Sequence, residues 1–194
     1  MSRYDERTAL VVVDLQNDFA DRAGRLTVIG GEEIIPVIND AVRQAQDAGA
    51  FVVVTQDWHP DSTPHFAKDG GIWPVHCVAG TWGAEFHPDL TVNGTVVRKG
   101  ANGEDGYSGF TMRDPVDARE VPTELQGLLK DSGVESLVVA GLALDYCVKA
   151  TAVDAAALGY RTVVPLRLTA AVELEAGDGE AAAADIRSSG AEVI

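Results

Sequence analysis

The chain has 194 residues, 46% of them hydrophobic, and its formal net charge at pH 7 is −15. The length and composition fit one folded domain, 1–194, and argue against a disordered chain. Because so acidic a surface repels phosphate groups, nucleic acids and anionic membranes are poor partners. The chain has no apolar run of transmembrane length, no apolar signal region at its N-terminus and no C-x-x-C motif for its two cysteines. These features predict a cytoplasmic protein with free thiols.

Short apolar runs alternate along the chain with stretches of helical periodicity. The apolar runs, typical of strands buried on both faces, predict strands at 8–13, 50–55, 95–97, 137–140, 160–164 and 191–194. The helical periodicity predicts helices from Glu32 to about Gly49, from Pro122 to Lys130, after Asp145, and over 181–187. The segments 14–31 and 56–93 are predicted loops. This alternation predicts a three-layer, Rossmann-like α/β fold, in which helices cover both faces of a mainly parallel sheet of about six strands.

Three reactive side chains follow predicted strands. If the sheet has the common strand order 3-2-1-4-5-6, Asp14 and Cys147 come from neighbouring strand ends, and Lys99 lies on the same rim. Cys147 falls in the first turn of a helix with Asp145 as its N-cap, where backbone N–H groups and the helix dipole favour a thiolate. Asp14 can accept the thiol proton, and the set suits acyl transfer through a thioester. In the competing interpretation, Cys147 is a buried, inert hydrophobe.

A second group of side chains lies in the long loop after the second strand. It consists of Asp57, His59, His65 and His76. Nitrogen and oxygen donors of this kind bind Zn²⁺, with Fe²⁺ or Mn²⁺ as alternatives, so the group predicts a divalent metal site. His87 lacks neighbouring ligands in the sequence and is interpreted as structural, and Cys77 as a buried bystander.

Four sequence blocks carry a resemblance to a known family. They are V-V-V-D-L-Q-N-D-F at 11–19, D-W-H-P with a downstream histidine at 57–65, W-P-V-H-C-V-A-G-T at 73–81, and the D-Y-C-V block around Cys147. In these blocks the chain resembles the nicotinamidase (pyrazinamidase) branch of the isochorismatase-like, or cysteine hydrolase, superfamily. The similarity spans nearly the whole chain. Two departures are that Tyr146 stands where several relatives carry histidine, and that the loop 101–106 varies in the family.

The resemblance implies an isochorismatase-like fold and the hydrolysis of nicotinamide to nicotinate and ammonia, a reaction of NAD salvage, with pyrazinamide as a side substrate. It implies a catalytic triad of Asp14, Lys99 and Cys147. It implies that Asp57, His59, His65 and His76 hold a metal that binds the substrate ring nitrogen. It implies that the substrate ring is surrounded by Phe19, Trp73, Tyr107 and Tyr146. It also implies a cis peptide before Ala143 and an oxyanion hole made by the N–H groups of Ala143 and Cys147.

Three other functions stay open at this point. The first is a metal-independent amidase of the same superfamily that acts on a carbamoyl or ureido substrate. The second is a metal-binding or scaffold protein without activity, and the third is a metallohydrolase in which Cys147 is inert. The sequence leaves open which metal binds and whether the chain forms a homo-oligomer.

Overall fold

The computed structural model describes residues 4–91 and 93–194. Its centre is a seven-stranded sheet in which every pair of neighbouring strands is parallel. The strands of this sheet are β1 (Thr8–Val13), β2 (Phe51–Asp57), β3 (Thr95–Lys99), β6 (Ser136–Leu142), β7 (Arg161–Val164), β8 (Thr169–Ala170) and β9 (Glu192–Val193). The order across the sheet is β3-β2-β1-β6-β7-β9, and β8 pairs with the end of β6. A separate antiparallel pair is formed by β4 (Thr111–Arg113) and β5 (Glu120–Pro122).

In the described part of the chain, five α-helices surround the sheet. They are α1 (Asn17–Ala20), α2 (Ile35–Asp47), α3 (Leu125–Asp131), α4 (Lys149–Ala157) and α5 (Asp178–Ser188). Because side chains alternate along a strand, Leu10 and Val12 of β1 pack on the side of α2, while Val11 packs with α3, α4 and α5. The sheet is therefore buried on both faces, as the apolar runs predict. No helix within 4–91 and 93–194 is long and apolar enough to cross a membrane.

The strand order confirms the arrangement assumed from the sequence. The first and fourth predicted strands are β1 and β6, and they pair along the whole of β1, from Thr8 with Ser136 to Val13 with Gly141. Gly141 permits this pairing to end tightly, because a Cβ there would lie 2.2 Å from the carbonyl oxygen of Val13, and its φ is +108°. The residues that follow β1 and β6 consequently start from adjacent points on one rim.

Three local predictions are wrong. The helix predicted from Pro122 begins at Leu125, because Glu120–Pro122 pairs with β4 instead. Asp145 is no N-cap: it lies inside a π-helical turn, Leu144–Val148, and its carboxylate accepts the N–H groups of Val172 and Glu173. The two predicted loops are also shortened, by α1 in the first and by the extension of β2 to Asp57 in the second. The expectation about a signal region concerns an N-terminus of which residues 1–3 lie outside the described part.

Candidate active site

Asp14, Lys99 and Cys147 meet at the carboxyl edge of the sheet. Asp14 directly follows β1, Lys99 is the last residue of β3, and Cys147 lies in the turn that follows β6. The Lys99 Nζ atom is 2.8 Å from Asp14 Oδ2 and 3.7 Å from Cys147 Sγ. Asp14 and Lys99 are 1% exposed and Cys147 is 7% exposed. The structure thus brings the three side chains together in a site shielded from water.

Neighbouring strands fix the Asp14 carboxylate. The Thr55 hydroxyl on β2 donates to Asp14 Oδ1 at 2.6 Å, and the Asp14 N–H donates back to Thr55 Oγ1 at 3.2 Å. Asp14 also has a positive φ of 50°, a conformation in which the chain turns sharply out of the strand. One oxygen is held by Thr55 and the other by Lys99, so the carboxylate has a defined orientation toward the thiol side of the site.

Asp57 connects this group to the histidines. The sequence did not predict this connection. It is the last residue of β2, and its Oδ1 lies 2.6 Å from Lys99 Nζ. Burial alone would raise the pKa of Asp57, but the charge of Lys99, with a smaller contribution from the neighbouring His59 imidazole, holds that pKa well below its ordinary value. Burial would likewise lower the pKa of Lys99, but Asp14 and Asp57 hold it well above its ordinary value. One ammonium therefore lies between two carboxylates.

The surroundings of Cys147 favour the protonated thiol, contrary to the thiolate expected from its place at a helix start. Burial raises the pKa of the Cys147 thiol well above its ordinary value, and Lys99 offsets this only in part. Burial also raises the pKa of Asp14, against the opposing effect of Lys99. Loss of water around the thiol outweighs the single helical turn that follows β6. Burial thus favours the thiol form of Cys147 and increases the basicity of the neighbouring Asp14 carboxylate.

Three buried histidines form a cluster beside Asp57. His59, His65 and His76 each place one ring nitrogen within 4.8 Å of the others. His59 is held next to the W-P-V-H-C segment by two backbone bonds: its N–H donates to the Cys77 carbonyl at 3.0 Å, and its carbonyl accepts the Ala79 N–H at 2.8 Å. Burial lowers the pKa of His76 to about 4, so this ring is neutral near neutral pH.

The surroundings of the three imidazole rings leave the Nε2 atom of each ring available as a ligand. His76 Nδ1 lies 2.7 Å from the Pro74 carbonyl and His65 Nδ1 lies 2.6 Å from Asp105 Oδ1. Because both partners are acceptors, each Nδ1 carries the hydrogen, which leaves Nε2 with a free lone pair. His59 Nδ1 faces Gly100, where even a Cβ would lie 2.6 Å away. Three Nε2 atoms are thus the candidate ligands.

The cluster fits a divalent metal. The two ring nitrogens of His59 are buried and have no hydrogen-bond partner within 4–91 and 93–194. A buried polar atom without a partner is costly, and coordination of Nε2 would remove that cost. Neutral imidazoles are also the form that binds metal. Asp57 Oδ2 lies 3.7 Å from His59 Nε2, so one carboxylate oxygen borders the cluster while the other contacts Lys99.

A small aromatic cavity joins the two groups. Its empty space, counted with the open solvent at its mouth, is about 380 Å³, and its walls include Cys147 as well as His65 and His76. The four aromatic residues named from the sequence all line it: Phe19, Trp73, Tyr107 and Tyr146. The Trp73 indole donates to the Tyr107 hydroxyl at 2.9 Å. The Tyr146 ring packs 4.9 Å from the Trp73 ring and 5.3 Å from the Tyr107 ring. This cavity suits a flat, single-ring ligand.

The sequence matches the Isochorismatase domain family over residues 8–194. The chain belongs to the isochorismatase family. A nicotinamidase/pyrazinamidase of Mycobacterium tuberculosis is 39% identical over 191 residues, which cover 96% of this chain and 97% of that protein. The structure of PnC1 from L. infantum in complex with nicotinate aligns with a TM-score of 0.89 at 34% identity, covering 98% of this chain and 94% of that one. The pyrazinamidase of Pyrococcus horikoshii in complex with zinc aligns with a TM-score of 0.85 at 34% identity, covering 97% and 98%.

Two further details of this isochorismatase-family chain concern residues around the site. The peptide bond between Leu142 and Ala143 is cis, as the resemblance implies. Asp18, in the L-Q-N-D-F block, accepts the Cys77 N–H at 2.7 Å and thereby holds the segment that carries His76. Sequence reasoning missed this role of Asp18, and its neighbours Gln16 and Asn17 are polar as well, so its position in the sequence did not mark it.

Two residues stay outside the histidine cluster. His87 is buried, accepts the Asp89 N–H at Nδ1, and has its Nε2 3.8 Å from Asp21. Cys77 is a free, fully buried cysteine, and burial raises its pKa well above the ordinary value. Both placements agree with the structural interpretation given to these residues from the sequence.

Proposed function

We propose that this protein is a metal-dependent nicotinamidase, which hydrolyses nicotinamide to nicotinate and ammonia in NAD salvage. One observation carries the proposal: the Asp14–Lys99–Cys147 group and the three-histidine cluster open into the same small aromatic cavity. Nicotinamide has a flat ring, a ring nitrogen and an amide group meta to that nitrogen, and these three features match the aromatic walls, the histidine cluster and the cysteine group of this site. Pyrazinamide has the same features and is proposed as a side substrate.

The aromatic residues orient the substrate. The Tyr146 ring packs edge to face against Trp73 and against Tyr107, and these rings offer their surfaces to a planar ligand. Phe19 lies on the wall beside His76. A divalent metal held by His59, His65, His76 and Asp57 would supply a Lewis acid for the ring nitrogen of the substrate. Zinc suits nitrogen-rich sites of this kind, with iron or manganese as alternatives.

The chemical steps belong to the triad. Asp14 accepts the thiol proton as Cys147 Sγ adds to the amide carbonyl, and the proton returns to the departing amine, which leaves as ammonia. The N–H groups of Ala143 and Cys147 stabilise the oxyanion. Asp14 then takes a proton from water, which attacks the thioester carbon, releases nicotinate and restores the thiol. Lys99 stays protonated between Asp14 and Asp57 and keeps Asp14 in place.

The histidine cluster argues against a metal-independent amidase acting on a carbamoyl or ureido substrate. Such an enzyme would need the Asp–Lys–Cys group alone, and three buried imidazoles with free Nε2 atoms would have no use in it. The cavity walls point the same way, because four aromatic rings line them and suit a flat ring better than an extended ureido chain.

The test is ammonia release from nicotinamide by purified protein. We expect turnover by the metal-loaded protein, loss after chelation, and recovery on adding Zn²⁺. Cys147→Ala should abolish turnover, whereas Cys77→Ala, which removes the other buried free thiol, should keep it. If the metal-loaded protein releases no ammonia from nicotinamide, the proposal is wrong. If Cys147→Ala keeps most of the activity, the thioester route is wrong.

A further inference from the structure

Asp105 contacts the histidine cluster at the side that faces away from the cavity. It belongs neither to the Asp14–Lys99–Cys147 group nor to the histidine cluster. Its Oδ1 lies 2.6 Å from Nδ1 of His65, on the side of the imidazole ring opposite to Nε2. Asp105 belongs to the segment 101–106, between β3 and β4, far in sequence from the histidines. Its side chain is 30% exposed, against 5% for His65, so it approaches the buried ring from the protein surface.

The backbone of Asp105 is fixed independently of the histidine. The Asp105 N–H donates to the Arg113 carbonyl at 2.9 Å, and the Arg113 N–H donates to the Asp105 carbonyl at 2.6 Å. The Arg113 guanidinium also lies 3.2 Å from Asp105 Oδ2. One carboxylate oxygen thus contacts Arg113 on β4 and the other contacts His65. Through these contacts, Asp105 fixes the imidazole ring of His65 relative to β4.

From this geometry we propose that Asp105 is a positioning residue for the metal site: it holds His65 with Nε2 directed into the cluster and makes that nitrogen a stronger ligand. The inference rests on the metal site of the proposed function. A carboxylate that accepts the Nδ1 hydrogen fixes the tautomer and the ring orientation, and it increases the electron density at Nε2. His76 has a neutral carbonyl at its Nδ1, so the charged partner is a particular feature of His65.

The experiment measures the affinity of the full-length, metal-stripped protein for Zn²⁺ by competition with a chelating dye. Asp105→Ala should weaken zinc binding by about 10–100-fold, the range for loss of such outer partners. Asp105→Asn keeps an acceptor for the Nδ1 hydrogen without the charge, so its affinity should lie between those of the wild type and the alanine variant. Glu104→Gln is the matched control, because this neighbouring carboxylate contacts Asn102 instead. It removes the same charge from the same loop and should leave the affinity unchanged.

Thermal melting of the metal-free proteins separates positioning from folding. The asparagine variant should melt near the wild-type temperature and still bind zinc more weakly. Unchanged zinc affinity in Asp105→Ala, or an equal loss in Glu104→Gln, would overturn the inference. Ammonia release from nicotinamide is measured separately. Loss of zinc affinity in a protein that never hydrolyses nicotinamide would support the role of Asp105 and refute only the proposed function.

Discussion

Gly100 gives the sharpest test of the histidine geometry. It directly follows β3, has a φ of +75°, and its α-carbon faces the His59 ring: a Cβ would lie 2.6 Å from Nδ1 and 2.8 Å from Cε1. Gly100→Ala therefore brings two penalties. The left-handed backbone costs a side chain about 1–2 kcal/mol. The overlap with a fully packed ring adds about 1–3 kcal/mol, unless His59 moves away.

Gly103 supplies the control within the same loop. Its φ is +87°, but the nearest atom to a Cβ there is 3.8 Å away, on Pro60. Gly103→Ala should therefore lose about 1–2 kcal/mol of unfolding free energy and keep the zinc affinity. Gly100→Ala should lose about 2–5 kcal/mol or relieve the overlap by displacing His59. Because the added methyl group would press against Nδ1 and Cε1 of His59, it should shift the ring in either case, and we expect the zinc affinity to fall at least about tenfold as Nε2 moves out of the cluster.

Two measurements check this pair: urea unfolding of the metal-free proteins and zinc competition with a chelating dye. We expect Gly100→Ala to have a lower unfolding free energy and a lower zinc affinity than Gly103→Ala. The backbone penalty is common to both variants and therefore cancels when they are compared. If Gly100→Ala binds zinc as tightly as Gly103→Ala, then His59 does not serve as a ligand through Nε2, and the three-histidine site is wrong in its geometry.

Three further predictions concern buried charge and close packing. Asp14→Asn should abolish ammonia release by the metal-loaded protein. In the metal-free protein it should speed iodoacetamide alkylation of Cys147 at about pH 8, because burial and then the Asp14 charge raise the thiol pKa; slower alkylation would contradict this. Lys99→Met should lower the free energy of unfolding by about 3–5 kcal/mol, since it strands two buried carboxylates. Without Lys99, the two carboxylates have raised pKa values in the folded state and become protonated there as the pH falls. The loss of unfolding free energy should therefore shrink toward about pH 4, and a loss that stays constant with pH in urea unfolding would refute the argument. Gly83→Ala should destabilise by about 1–3 kcal/mol, because its Cβ would lie 2.1 Å from a buried carboxylate oxygen, whereas Gly127→Ala, with open space in α3, should stabilise by about 0.5–1 kcal/mol in the same assay.

The strands at the centre of the sheet could be predicted from the sequence because nearly all of their residues are apolar. Runs such as Leu10–Val13 and Leu137–Ala140 contain no polar residue, so period and length alone identify them. The strand order then followed from the commonest topology of such folds. The errors fall where tertiary contacts override local signals. Glu120–Pro122 forms a strand only because β4 lies beside it, and Asp145 turns away from the helix start to bind the N–H groups of Val172 and Glu173.

The candidate site could be predicted as two groups but not as one. Polar residues directly after buried strands identified Asp14 and Lys99, and spacing identified the histidines. Nothing in the spacing showed that Asp57 contacts Lys99, because that contact depends on the register of β2 against β3, where Asp57 pairs with Lys99. Asp105 was missed for a related reason: its neighbours in sequence are polar loop residues, and only the fold brings it to His65.

The contact between Lys99 and Asp57 links the Asp14–Lys99–Cys147 group to the histidine cluster electrostatically. One ammonium and two carboxylates are buried together, so the group keeps a net negative charge beside three imidazoles. A buried excess charge is expensive unless it is compensated. A divalent cation at the histidine cluster would provide that compensation while leaving Lys99 to hold Asp14. On this reasoning, the proposed metal site and the proposed triad form one electrostatic unit, and loss of the metal should disturb Asp14 and Cys147 as well as the substrate ring.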